Sequence, residues 1–139
     1  MPAFAHERFS AEVRLSPDAV VEFADAAGDD NPVHRDPAFA AGTRFGRPIA
    51  SGTHTTALLL GLTAKHYSKH GAMLGLEFWV RFKKAIFADE TIRLEWLVIK
   101  VTPNAKLKGD VVDLRGRIVN ANGETALGAK GRILVADAL

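Results

Sequence analysis

The sequence predicts an α+β protein in which an antiparallel β-sheet wraps one buried α-helix. Three observations carry this. The second half of the chain holds four strand-like segments joined by short connections, and short connections favour antiparallel pairing. Ahead of them, residues 51–71 are apolar almost all round in Ala57, Leu58, Leu59, Leu60 and Leu62, and a helix of that kind is normally enclosed by protein. No internal repeat, linker or low-complexity tract interrupts the 139 residues, so one domain over residues 1–139 is expected, long enough to bury a core.

Over residues 8–15, Phe9, Ala11, Val13 and Leu15 alternate with polar residues, the period of a half-buried strand. Ser16 and Pro17 then read as an N-cap and first helical position. Val20, Phe23, Ala24 and Ala27 follow at helical spacing until Gly28. Asp36 and Pro37 repeat the cap signal for one or two turns ending near Gly42. Ser51, Gly52 and Thr53 mark the start of the apolar helix, and Gly71 stands where a C-terminal glycine belongs. Strands are expected over residues 73–83, 91–101, 110–120 and 124–135. Ile92, Leu94, Trp96 and Val98 share one face, as do Val112, Leu114, Gly116 and Ile118, and Asn122-Gly123 signals a hairpin. A sheet folded about one helix is the hot-dog shape.

Composition narrows the function. Hydrophobic residues make up 47% and charged residues 24%, too apolar for a disordered chain. With no cysteine, disulfides and thiolate zinc sites are excluded, which fits a reducing compartment. No apolar run is long enough to span a bilayer and the N-terminus lacks a signal-peptide pattern, so no membrane role and a cytoplasmic location are expected. The net charge of +2 is spread out, without the interleaved aromatics of a single-strand binder, so nucleic acid is not an expected partner.

The segment AAGDDNPVHRDPAFAAG, residues 26–42, crowds turn-making and titratable residues together. Asp29, Asn31 and His34 fall within six residues, and Pro32 biases Asn31 towards an extended conformation. A carboxylate and an imidazole brought to one small volume can hold a water and relay protons. On spacing alone, turn-making is the simpler reading, because Asp, Asn, Pro and Gly are the commonest turn residues. Other patterns are weaker still. His66 and His70 have the spacing of a helical metal pair, but HYSKH lacks a protease glutamate and reads as a solvated helix end. GETALGAKG has Gly131 where a phosphate-binding loop needs Ser or Thr.

The run FADAAGDDNPVHRD resembles the hydratase signature of the MaoC-like family, the (R)-specific enoyl-CoA hydratases, whose core reads G-D-x-N-P-x-H-x-D. Gly28, Asp29, Asn31, Pro32, His34 and Asp36 match it, with Asp30 in a variable place. FGRPIASG also resembles the family's approach to its central helix. The resemblance implies a hot-dog fold and the addition of water to a trans-2-enoyl-CoA, giving an (R)-3-hydroxyacyl-CoA, or the reverse dehydration. Carried over, Asp29 and His34 become the acid/base pair and Asn31 an orienting residue. No cofactor is implied, coenzyme A being the handle of the acyl-CoA substrate. A homodimer or higher homo-oligomer is implied, with sites near the subunit boundary.

Developing enolate charge needs a donor, and the first amides of the apolar helix lack intrahelical partners; the Gly52 N–H is the candidate. Ser51 stands where many family members have histidine. Thr53 and His54 follow as candidate substrate-binding residues, and Arg44, Arg47, Lys83 and Lys84 as candidate CoA phosphate contacts. The rival readings are a non-catalytic acyl-thioester-binding subunit and an acyl-CoA thioesterase.

Overall fold

A computed structural model describes residues 2–139. Five strands form one sheet: β1 (Arg8–Arg14), β2 (Ala72–Phe82), β3 (Thr91–Asn104), β4 (Gly109–Val119) and β5 (Thr125–Ala136). Their spatial order is β1-β3-β4-β5-β2 and every neighbouring pair is antiparallel. β2 and β3 are consecutive in sequence yet separated by two strands, which leaves β1 and β2 as the edges. Between β1 and β2 lie α1 (Pro17–Ala27), a 3-10 turn (Pro32–His34), α2 (Pro37–Ala41) and α3 (Gly52–Tyr67).

Local chemistry explains the boundaries. Ser16 accepts from the Ala19 N–H and Asp36 from those of Ala38 and Phe39, so both Pro-initiated helices are capped as the sequence predicts. Gly28 closes α1 in the left-handed conformation at φ 73°. Gly71 does not close α3. That helix ends at Ser68, which stays right-handed and donates to the Ala64 carbonyl; Gly71 instead lets β2 pass β5, since a Cβ there would lie 2.7 Å from the Ala136 carbonyl oxygen. The Asn-Gly hairpin is a three-residue loop over 121–123, because the Asn120 side chain accepts from the Asn122 and Glu124 amides and draws the closing pair outward.

The inner face of the sheet carries Ile92, Leu94, Trp96, Val98, Val112, Leu114 and Ile118, all buried. Trp96 pairs with Gly116 across β3 and β4, and a Cβ on Gly116 would lie 2.6 Å from the indole. The indole N–H crosses to α3 and donates to the Leu59 carbonyl at 2.8 Å. α3 is enclosed on one side only: Leu59, Leu62 and Tyr67 are buried, while Thr53, Ala57, Gly61 and Ala64 are exposed. This corrects the expectation of an all-round buried helix, since the outward positions carry small side chains that one chain does not cover.

The far end of α3 is tied to the start of β1. Glu7 accepts from the Tyr67 hydroxyl at 2.7 Å and lies 2.8 Å from His66 Nε2, whose ring stacks on Phe9. His66 is thus engaged rather than a solvated helix end. Burial, then the hydrogen bond and charge of Glu7, push the Tyr67 phenol up, so it remains a donor.

Glu90, just before β3, is buried with Oε2 lacking a partner. Burial pushes its carboxyl up, against a backbone hydrogen bond from Ala121 and the charge of Arg47; Asp89 and Glu124 act in the same direction as burial. A carboxyl that titrates higher when folded destabilises the fold while charged. The penalty is relieved as pH falls through the folded value and is gone below the unfolded one. Glu90→Gln is therefore expected to raise Tm at pH 8 by roughly 3 °C, what ~1 kcal/mol produces in a chain near this size. Thermal melts across pH should show that advantage shrinking towards pH 5.

Candidate active site

Gly28 turns the chain out of α1, and the loop that follows commits nearly every polar atom of Asp29. Its N–H donates to the Ala24 carbonyl at 2.7 Å, and its own carbonyl accepts from Arg35 Nη2 at 3.1 Å. Its Oδ1 accepts from the Asn31 N–H at 3.0 Å. Only Oδ2 is left, and it stands 3.2 Å from His34 Nε2.

His34 is committed in the same way. Its backbone N–H donates to Asn31 O, and Nδ1 lies 2.7 Å from the Ile49 carbonyl oxygen. A carbonyl oxygen only accepts, so Nδ1 carries the hydrogen and Nε2 of the neutral ring presents a lone pair. Facing Oδ2, that lone pair needs either a shared proton or a water donating one hydrogen to each. The imidazole is nearly buried at 8% side-chain exposure while Asp29 keeps 30%, so the pair opens to solvent from the carboxylate side.

Asn31 contributes through its side-chain oxygen Oδ1, which accepts from the Val33 N–H at 3.2 Å and starts the 3-10 turn that delivers His34. Arg35, silent in the sequence reading, braces the loop: besides the Asp29 carbonyl it holds Asp25 Oδ1 at 2.8 Å. It occupies an unspecified position of the motif, and only its place beside two turns of chain reveals the role.

The loop is joined to α3 through Ile49, whose N–H donates to Val33 O and whose carbonyl holds His34. Three residues on, Gly52 begins α3, within about 10 Å of Ile49 even for extended chain. Ser51 caps the helix, its Oγ accepting from the His54 N–H and lying 2.8 Å from Thr53 Oγ1. The amides of Gly52 and Thr53 belong to the first turn and have no intrahelical acceptor. Phe82, at the end of edge strand β2, lies over Gly52, where a Cβ would come within 2.7 Å of the ring. His54 faces away from the protein surface, stacked on Phe23 with ring centroids 4.5 Å apart. Its Nδ1 is buried without a partner, and burial pushes the imidazole below the ordinary histidine range.

A cleft of about 510 Å³ opens beside Gly52, lined among others by Arg44, Phe45, Thr55, Phe82, Lys83 and Lys84. Of the four cations expected to meet phosphates, Arg47 is paired with Asp89 and lies over the Phe87 ring, and Lys84 is paired with Glu124. Arg44 and Lys83 remain for a ligand. Asp29 and His34 do not line this cleft; the Ile49–Gly52 stretch connects the two. Among the described residues no cluster of three His, Asp or Glu side chains is placed to hold a metal ion.

Known proteins resemble this chain in sequence and in fold. The profile of the MaoC like domain matches residues 5–119. The chain is 34% identical over 109 residues to an (R)-specific enoyl-CoA hydratase of Aeromonas caviae, covering 78% of this chain and 77% of that one. It is 36% identical over 84 residues to the 3-hydroxyacyl-thioester dehydratase Z of Mycobacterium tuberculosis, covering 58% of this chain and 56% of the dehydratase, little more than half that protein's length. The solved structure of an (R)-hydratase from A. caviae involved in PHA biosynthesis superposes with a TM-score of 0.87 at 26% identity, over 96% of this chain and 97% of that one.

Proposed function

Because the chain belongs to the MaoC-like domain family and is a hydro-lyase of the enoyl-thioester hydratase and dehydratase kind, we propose that it adds water (R)-specifically to trans-2-enoyl-CoA, or removes it, through Asp29 and His34 acting on one shared water. The observation that carries this is the convergence of Asp29 Oδ2 and His34 Nε2, the side-chain atoms of this pair that no other group in the loop engages. A water donating to both is held with an oxygen lone pair free to attack. As the oxygen bonds to the β-carbon, the pair takes up one of its protons and a proton is delivered to the α-carbon, so H and OH are added across the double bond. The Gly52 N–H, at the positive end of α3, steadies the charge that develops on the thioester oxygen, a role worth about 3 kcal/mol where such donors have been deleted elsewhere. Side-chain proton transfer supplies this chemistry without metal, flavin or nicotinamide.

The reading extends to a cytoplasmic enzyme that pairs with a copy of itself. No helix among the described residues is long and apolar enough to cross a membrane. β2 is an edge strand paired on one side only and carrying exposed Leu74 and Leu76, the kind of strand that a second copy can cover.

Incubation with crotonyl-CoA tests the reaction. Loss of enone absorbance without free thiol, with an (R)-configured product, is expected. Free thiol would mean thioester cleavage, and saturable binding with no change would mean a non-catalytic subunit. Arg35 acts here as a positioning residue, through the Asp29 carbonyl. Arg35→Met is expected to lower kcat by roughly tenfold, one hydrogen bond's worth to a charged group, with KM for crotonyl-CoA little changed and Arg35→Lys partly restoring kcat. Equal losses in both variants, tracking Tm, would leave Arg35 a structural brace only.

A further inference from the structure

The face of the sheet turned away from α3 holds a furrow of about 770 Å³ that the hydratase reading does not use. Cations ring it: Arg8, Arg81, Lys83, Arg115, Arg117 and Lys130 all line it. Gly128 lines it too, in register with Arg117 on β4 and Arg81 on β2. A Cβ there would touch the end of the Lys83 side chain at 3.6 Å, so the missing side chain leaves a floor that the cations overhang. Arg115 stands directly opposite Lys130, a like-charge pair that weakens a sheet. Glu95 is the one acid among the lining residues described, and it is held by Arg93 and Arg117. Arg8, Arg81, Lys83, Arg115 and Lys130 make no ion pair among the described residues. In a chain of net charge +2, so many unpaired cations around one glycine concentrate positive potential well above the average of the surface.

We propose that this furrow is a binding site for a polyphosphate-bearing small molecule. Positions on the sheet lie ~5 Å apart across strands and ~7 Å apart at alternate residues along them. Two or three linked phosphates resting over Gly128 therefore meet several guanidinium and ammonium groups together, as an isolated carboxylate does not. The volume falls within the roughly 300–1,000 Å³ of small-molecule sites, whereas a protein partner needs about 800 Å² of surface on each side. Trp79, 55% exposed beneath the Lys130 ammonium, forms an apolar wall suited to a nucleobase. The phosphates can come from the nucleotide end of acyl-CoA or from a free nucleotide. Lys83 also lines the cleft beside Gly52, so the first source has a continuous path.

Sodium tripolyphosphate, titrated against the full chain at low salt with Trp fluorescence as readout, tests the site without any turnover, so its outcome is separate from that of the crotonyl-CoA assay. Saturable binding is expected, weakened at least about tenfold in the double variant R115Q/K130Q, the effect of removing two charge-assisted contacts. Lys83→Gln, a milder change, should weaken it in the same direction, and circular dichroism verifies that both variants are folded. If acyl-CoA is the source, R115Q/K130Q raises KM for crotonyl-CoA and leaves that for crotonyl-pantetheine unchanged. If a free nucleotide is the source, ATP displaces tripolyphosphate and both KM values are unchanged. No saturable tripolyphosphate binding by the wild type, or equal affinity in wild type and variants, would overturn the proposal.

Discussion

Asp29→Asn and His34→Ala are each expected to lower crotonyl-CoA hydration by about 10²–10⁴-fold, the range over which a positioned acid or base contributes. The asparagine variant is the sharper of the two. Its carbonyl oxygen still accepts from the Asn31 N–H as Oδ1 does now, and its amide nitrogen donates to His34 Nε2, so the loop keeps its shape while the carboxylate is lost. Groups that act as a unit through one water lose most of their effect together. The double variant should accordingly be little slower than the worse single one. Steady-state kinetics on folded proteins, with Tm as the control, decide it, and wild-type kcat in both single variants would remove Asp29 and His34 from the mechanism.

The largest expected effect on stability lies far from that loop. Trp96→Ala empties the space between β3, Gly116 and α3 and deletes the hydrogen bond to Leu59 O, for an expected loss of about 3–5 kcal/mol in denaturant unfolding. Trp96→Phe keeps most of the volume and gives up the indole N–H, for about 1 kcal/mol. Gly116→Val approaches the same contact from the other side. Its side chain would lie inside the indole's van der Waals envelope, and overpacking of this kind costs roughly 1–3 kcal/mol or more. A Gly116→Val protein as stable as wild type would show that the notch is not filled as described.

Much of this was legible in the sequence because the signals were local. Ser16-Pro17 and Asp36-Pro37 cap helices where they stand, and the alternation from Ile92 to Val98 survives because one face of β3 is wholly buried. The end of α3 was misplaced at Gly71 because a helix can also stop with a right-handed Ser68, and a glycine can serve the crossing of two strands instead. Strand order was not legible, since short connections specify direction but not that β4 and β5 intervene between β3 and β2. At the site, spacing could bring Asp29 and His34 near one another, but not choose which of their atoms stay free. That choice is made by two peptide groups, the Ile49 carbonyl on His34 Nδ1 and the Asn31 N–H on Asp29 Oδ1, and peptide groups leave no mark in the sequence. The outer furrow escaped because its cations come from four strands and adjoin only in register.

The Asp29–His34 loop is nearly self-sufficient. Between Ala24 and Phe39 most turn-making hydrogen bonds close within the segment, and the bonds that hold it to the stretch before α3 both go to the peptide groups of a single residue, Ile49. Such a unit is portable: grafted onto another scaffold that offers one helix end and one extended residue presenting its N–H and C=O as Ile49 does, it would carry its proton-relay geometry with it, and α3, the furrow and the rest of the sheet could be redesigned around it.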